Sequence, residues 1–319
     1  MKTDSSTLIP TATDGGLPLG AALYTMFLCI LFGANTVAVK ISLTGFGVFT
    51  SAGLRFGIAA VVITLWAAAT GKSLAITRHQ ARQLAPLGVI FFCQLALFNF
   101  GQNLTLASHG TLISNVLPFV VMILAHFFIP DENISLQKVV GLALAFIGVA
   151  MLFFDSLVMT KDALRGDILV LAAVMVWACN AVYVKKIIQG FHPLQITLYP
   201  MTITVPVFLL CGYFFDGGMV KSFSVPATQA LLYQAIVTAS YGFVAWNTLI
   251  AKYGATNLHS FVFIMPVSGV FLGVIMLGEP VTANLVTSII LVTAGLFVVN
   301  GRMARRHGRD EVGPVKRLG

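Results

Sequence analysis

Apolar residues along this chain gather into ten runs, each 19 to 23 residues long, with short polar segments between them. A helix that crosses a bilayer needs about 20 apolar residues, whereas a membrane β-strand shows alternation over about 10 residues, and that alternation is absent. The pattern therefore predicts an all-α polytopic membrane protein with ten transmembrane helices. The runs are 20–41, 48–69, 85–107, 111–129, 136–154, 167–186, 193–214, 230–252, 257–277 and 282–300.

Composition excludes a soluble globule. Hydrophobic residues make up 58% of the chain and charged residues 9%, against about 25% charged in soluble domains. The four cysteines lie inside apolar runs without metal-like spacing, so we expect them to pack in the core, with no metal site and no cofactor. Phosphate-loop, HExxH and GxSxG motifs are also absent, which argues against an enzyme.

The chain uses one stretch twice. Residues 32–40 read FGANTVAVK and residues 177–185 read WACNAVYVK, which aligns Asn35 with Asn180 at an offset of 145. At an offset of 148, Asn99 meets Asn247. Such half-chain duplications are typical of transporters whose site lies between the halves. The predicted organisation is an N-terminal tail 1–19, a first five-helix repeat 20–154, a linker 155–166, a second repeat 167–300 and a basic tail 301–319.

Basic residues predict the orientation. If the N-terminus is cytoplasmic, thirteen Lys and Arg residues face the cytoplasm and four face outward, as the positive-inside rule requires. Both termini are then cytoplasmic. We expect the protein in the plasma membrane, which for a bacterium is the inner membrane. Five helices per repeat is an odd number, so the second repeat enters with the opposite orientation. The fold prediction is thus two inverted five-helix repeats around a central cavity. Because topology explains the net charge of +8, we expect membrane lipid but no nucleic acid as a partner.

Amides and aromatic rings at matched positions suggest where a substrate binds. An uncompensated amide in hydrocarbon costs several kcal/mol, so amides in symmetric places favour an interior cavity; the alternative is polar contacts that hold helices together. Rings beside amides suit an amphipathic small molecule. The candidate substrate-binding residues are Asn35, Gln94, Phe98, Asn99, Gln102, Trp177, Asn180, Tyr183, Tyr241, Trp246 and Asn247.

Prolines and charges add further candidates. Pro118 and Pro266 lie at matched positions, where they could form hinges that gate the cavity or kinks that serve packing. Arg55 lies well inside a span, either as an anchor for a substrate carboxylate or in a structural role, and Lys40 and Lys185 lie at helix ends. No Asp or Glu lies in the middle of a predicted span, which favours transport that does not depend strictly on a proton gradient.

Several motifs together resemble a known family. They are Phe32-Gly33-Ala34-Asn35 and Trp177-Ala178-Cys179-Asn180, Leu54-Arg55-Phe56, Pro118 before Glu132, and Pro266 before Gly278-Glu279-Pro280. In these the chain resembles the drug/metabolite transporter (DMT) superfamily with two EamA-type repeats, and within it the YddG-like amino-acid exporters. Ile129-Pro130-Asp131-Glu132 departs from the usual Leu-Gly-Glu. The resemblance implies export of small metabolites by alternating access.

The sequence thus predicts a secondary transporter that exports small amphipathic metabolites, amino acids first, either aromatic or otherwise neutral. Other cargoes stay open, namely sugars, nucleosides, drugs or sugar phosphates, although phosphate would favour several basic residues in the cavity. A membrane receptor without transport activity is the remaining alternative. The sequence leaves the oligomeric state open.

Overall fold

The computed structural model describes residues 18–128, 136–253, 258, 261–262 and 264–300. Over these ranges the chain forms twelve α-helices and no strand, apart from one isolated antiparallel bridge between Phe46 and Val220. A π-helix, Tyr233–Gly242, joins the ninth helix to the tenth. The helices are α1 (Leu19–Gly45), α2 (Val48–Ala69), α3 (Arg78–Leu104), α4 (Ala107–Ser114), α5 (Leu117–Phe128), α6 (Leu136–Met159), α7 (Lys161–Ile187), α8 (Pro193–Phe215), α9 (Val225–Leu232), α10 (Phe243–Tyr253), α11 (Ile264–Leu277) and α12 (Ala283–Asn300).

Within the described ranges, six helical segments are long and apolar enough to cross a membrane. They are Leu19–Gly45, Val48–Ala69, Arg78–Leu104, Ala107–Phe128, Lys161–Val184 and Leu194–Phe215. Shorter apolar helices lie at Val139–Asp155, Ile264–Leu277 and Ala283–Val298. The predicted all-helical, multi-pass class is therefore confirmed.

Two helices begin earlier than the apolar runs indicate. Thr77 and Gln80 form a capping box, so α3 starts at Arg78 and carries two polar turns before its apolar run. The Thr160 hydroxyl accepts a hydrogen bond from the Ala163 N–H and caps α7. Since α6 ends at Met159 and α7 starts at Lys161, the predicted linker 155–166 is helical except at Thr160.

Two segments interrupt regular helix. The run from Ala107 to Phe128 breaks after α4, and Pro118 is the second residue of α5, where its missing N–H costs no helical hydrogen bond. Pro266 likewise lies near the start of a helix, as the third residue of α11. The second interruption is the ten-residue π-helix, which nothing in the apolar pattern predicts. π-Segments are uncommon and often mark functional sites.

The most extensive packing joins α3 to α7, α6 to α12, α2 to α8 and α1 to α11. Each of these pairs joins the first half of the chain to the second. The α3–α7 pair is unusually close, because a Cβ added at Gly101 would lie 2.7 Å from the Gly166 carbonyl oxygen. The largest buried apolar cluster lies among α4, α5, α6, α7 and α12. The two halves therefore form one interlocked bundle.

Candidate functional site

A first polar group, the Arg55 cluster, lies inside the bundle between α1, α2 and the π-helix. The Arg55 guanidinium donates from Nη1 to Gln234 Oε1 at 3.0 Å. The Gln234 amide nitrogen donates in turn to the Ala38 carbonyl oxygen at 3.0 Å and to the Ser42 hydroxyl at 2.9 Å. One turn further along the π-helix, the Thr238 hydroxyl donates to Asn35 Oδ1 at 3.0 Å. We define the Arg55 cluster as Asn35, Arg55, Gln234 and Thr238.

The charge of this cluster lacks an ionic partner. Arg55 is 5% exposed, and among the described residues no carboxylate lies within salt-bridge distance of it. Its guanidinium carbon lies 4.2 Å from the centroid of the Phe56 ring, and its Nε has no hydrogen-bond partner. A buried cation held by a neutral amide and a ring is costly unless an anion joins it.

A second amide contact lies between α3 and α7. The Asn180 amide nitrogen donates to Gln94 Oε1 at 3.1 Å, and both side chains are buried. The Asn35–Thr238 bond corresponds to the Asn180–Gln94 bond. Each of the two bonds joins the repeated asparagine of one half to a residue in the third apolar run of the other half. Asn35 and Asn180 therefore each contact a partner in the other half, and among the described side chains they do not bond to one another.

The α3 amides carry unused hydrogen-bonding capacity. Asn99 and Gln102 are buried. Asn99 Oδ1 and the Gln102 atoms Oε1 and Nε2 have no hydrogen-bond partner. The Gln102 amide lies against α4, since a Cβ added at Gly110 would come within 2.0 Å of its nitrogen. Phe98, which directly precedes Asn99, packs into the apolar cluster that includes Val170. Buried polar atoms without partners are rare and costly, so these two residues remain strong candidates for ligand contact.

The aromatic candidates do not gather around the amides. Trp246 packs edge-on against Phe32 at 5.9 Å between centroids. Tyr241 is 46% exposed and shares a hydrogen bond with the Tyr24 hydroxyl. Trp177 is half-buried. Tyr183 donates to the Gln83 carbonyl oxygen at 3.0 Å, at the far end of α3. The side chains of Asn247 and Lys185 lie outside the described residues.

A second polar group, the Asp167 cluster, closes the end of the bundle where α1 passes into α2. His109 Nδ1 lies 3.0 Å from Asp167 Oδ2, and the side chains are 2% and 0% exposed. The Thr105 hydroxyl donates to Asp167 Oδ1. Lys40 Nζ donates to the carbonyl oxygens of Gln102, at 2.9 Å, and Thr105. Glu279 accepts from the backbone N–H groups at the start of α4 and is 6% exposed. We define the Asp167 cluster as Lys40, Thr105, His109, Asp167 and Glu279.

One of these carboxylates, that of Asp167, lies further inside a helix than the apolar pattern predicts. Asp167 was expected at a helix end, but α7 begins at Lys161, so Asp167 is its seventh residue and lies beneath α3 and α4. The Thr160 cap with Asp162 in the first turn is a helix-start signal that identifies this extension. The expectation that transport does not depend strictly on a proton gradient stays a prediction, and Asp167 adds a buried carboxylate near the start of α7.

The two ends of the bundle are closed by different chemistry. At the α1–α2 end, Asp216 also accepts from the Thr50 N–H at 2.8 Å, and Asp155 accepts from the Asn284 amide at 2.7 Å. At the α2–α3 end, neutral groups donate to carbonyl oxygens of the other half. These contacts are Gln80 with Gly190, Tyr183 with Gln83, Gln195 with Ala75, and Tyr199 with Leu74.

Neither cluster lines the surface groove between α2 and α8. That groove is apolar throughout and is bordered by Gly53, Gly57, Val61 and Val205, which suits contact with lipid tails. In the described part of the chain, no group of three His, Cys, Asp or Glu side chains is placed to hold a metal ion.

The chain matches a known family twice. The EamA-like transporter family model matches residues 19–154 and again residues 164–301. A Salmonella typhimurium protein named a probable amino-acid metabolite efflux pump is 28% identical over 293 residues, which cover 89% of this chain and 96% of that protein. An Escherichia coli protein of the same name is 26% identical over 282 residues, covering 86% and 92%.

Two further similarities agree with this match. A Bacillus subtilis protein, the uncharacterized transporter YyaM, is 28% identical over 288 residues, covering 88% of this chain and 93% of that protein. A protein of known crystal structure has a TM-score of 0.64 and 17% identity, covering 90% of this chain and 98% of that chain. The structural match shows a shared fold alone.

Proposed function

Since the chain belongs to the EamA-like transporter family of the DMT superfamily, we propose that it exports small amphipathic metabolites, amino acids first, by alternating access. Family and relatives indicate a membrane transporter rather than an enzyme. Two relatives named as probable amino-acid metabolite efflux pumps support the substrate class. The proposed architecture is ten spans in two inverted repeats, with the α1–α2 end facing outward and both termini in the cytoplasm of a bacterium.

The observation that carries the substrate class is the buried Arg55 guanidinium with a neutral partner. An amino acid brings a carboxylate, which would supply the missing anion and form charge-assisted hydrogen bonds with Arg55. It also brings an ammonium group, which needs neutral acceptors. One such acceptor is Asn35 Oδ1, which accepts from Thr238 on the π-helix that also carries Gln234, the partner of Arg55. The unpaired Asn99 Oδ1 offers a second acceptor on α3.

The same observation weighs against sugar phosphates. A phosphate carries about two charges and is usually met by several basic side chains. Among the described residues, Arg55 is the one Lys or Arg that is buried, and Lys40 is half-buried with its ammonium bonded to carbonyl oxygens. We therefore expect carboxylate cargo to outcompete phosphate cargo.

Purified protein in liposomes tests this proposal. The panel holds labelled neutral amino acids, their amides, the matching amines, sugars and sugar phosphates. We expect the amino acids to exchange and the amides and amines to move much more slowly. Arg55→Gln should slow amino-acid exchange about 10- to 100-fold, the equivalent of a charged hydrogen bond of about 1.5–3 kcal/mol, while the exposed Arg165→Gln control keeps the parental rate. Exchange of sugar phosphates in preference to amino acids would refute the proposal.

A further inference from the structure

The Asp167 cluster has no task in the amino-acid site proposed above, yet it joins both halves of the chain. Lys40, Thr105 and His109 belong to the first half, and Asp167 and Glu279 to the second. Their bonds run in sequence from the Lys40 ammonium through the Thr105 residue to Asp167 and on to His109. Opening this end of the bundle requires these contacts to separate. The cluster is therefore placed to hold the end closed.

The charge of the cluster depends on His109. Lys40 contributes one positive charge, and the Asp167 and Glu279 carboxylates contribute two negative charges. With a neutral imidazole the cluster carries a net charge of −1, and with an imidazolium it carries zero. A net charge costs free energy in the closed end, where the side chains are almost fully buried. In the open end, water can hydrate the charge. Protonation therefore favours the closed arrangement over the open one.

The described charged groups on neighbouring helices do not change the net charge of the Asp167 cluster. Arg165 and Asp162, also on α7, are exposed and pair with each other at 3.3 Å. Asp155, on α6, bonds to Thr282 and Asn284. In α11 and α12, and in the last six turns of α3, the described residues include no Asp, Glu, Lys, Arg or His. His126, on α5, is exposed. Among the described residues of the cluster, Lys40 and Glu279 are the charged groups besides the pair itself.

We propose that His109 and Asp167 form a proton-binding site and that a proton taken up there from the external water closes the outer end of the transporter. Histidine ordinarily titrates between pH 5 and 8, the range that a bacterial exterior covers. The imidazole gains one proton from water when the end is open and keeps it, paired with Asp167, when the end is closed. Export is then linked to external pH. The orientation and the alternation of the two ends rest on the proposed function.

A labelling experiment tests the site without any substrate. Ser108 lies beside His109 and is fully buried, and its hydroxyl makes no hydrogen bond, so Ser108→Cys removes no contact. In a variant whose native cysteines are replaced, an impermeant maleimide added outside reports how often this end opens. The exposed Thr44→Cys thiol corrects for the chemistry of the reagent. We expect the corrected rate to fall between pH 8 and pH 6, by at most about tenfold per unit, the limit for one proton.

His109→Gln and Asp167→Asn should each abolish this pH dependence, while His79→Gln, an exposed histidine at the opposite end, should keep it. Net export from cells, with the cytoplasmic pH held constant, should lose its response to external pH in the same two variants. A corrected rate that is flat with pH in the parental background overturns the proposal even if both variants fail to fold. So does a pH response that His109→Gln preserves.

The two proposals fail in different ways. If no carboxylate substrate is transported, the amino-acid function is wrong, and labelling of the Ser108→Cys thiol still decides whether the proton site exists. If amino acids are exported and the labelling does not depend on external pH, the proton site alone is wrong. A dependence on cytoplasmic rather than external pH also overturns it.

Discussion

Replacing Glu279 should destabilise the bundle more than its position in a short loop suggests. Its carboxylate accepts hydrogen bonds from the N–H groups of Ala107 and Ser108, the second at 2.9 Å, which are the first two residues of α4. A side-chain cap contributes about 1–2 kcal/mol, and a negative charge at a helix N-terminus about 0.3–1 kcal/mol more. Glu279→Ala also leaves buried N–H groups without partners, so we expect a total loss of about 2–4 kcal/mol.

The free energy of unfolding in mixed detergent and SDS micelles measures this loss. Glu279→Gln keeps one acceptor without the charge and should lose about half as much. Asp162→Asn serves as the matched control, because it removes a carboxylate whose ion pair with Arg165 is exposed. Such a pair contributes at most about 1 kcal/mol. If Glu279→Ala is as stable as the Asp162→Asn control, the carboxylate does not cap α4 and our account of this end of the bundle is wrong.

Three further outcomes follow from the packing, the amides and the orientation. Gly101→Ala should disrupt the α3–α7 contact and lower the yield of folded protein in size-exclusion chromatography, whereas Gly20→Ala, with open space around it, should not. Asn180→Ala removes a buried amide bond to α3, so we expect an unfolding free energy lower by about 1–3 kcal/mol. In a background free of native cysteines, an impermeant reagent should label Arg165→Cys in intact cells and Lys72→Cys only after permeabilisation; the reverse result would invert the proposed topology.

Much of the fold follows from the sequence because lipid imposes a simple rule. A spanning helix must be apolar for about 20 residues, so long apolar stretches mark spans directly. Helix starts were less well predicted, since polar caps such as Thr77 and Thr160 extend α3 and α7 beyond their apolar parts. The π-helix escaped prediction because its residues have the same polarity pattern as an α-helix.

The site was predicted in part for a related reason. Repetition singled out Asn35 and Asn180, and the structure gives each a partner in the opposite half. Gln94, the partner of Asn180, was itself a predicted candidate. Thr238, the partner of Asn35, is harder to predict, because its position depends on the register of the π-helix. The two clusters also bring together residues more than 50 positions apart, such as His109 with Asp167. Spacing along one helix carries no information about such contacts.

The different chemistry of the two ends bears on how such a transporter can cycle. Bonds that involve a charged group are roughly twice as strong as neutral ones while they stay buried, but a carboxylate regains strong hydration once its end opens. Opening the charged end therefore exchanges protein contacts for water at a modest net cost. The described contacts at the α2–α3 end come instead from amides and phenols, such as those of Gln195 and Tyr199, which donate to carbonyl oxygens. Among the described contacts between the two halves, the one that includes a histidine, His109 with Asp167, lies at the carboxylate end, which is where we propose that pH acts.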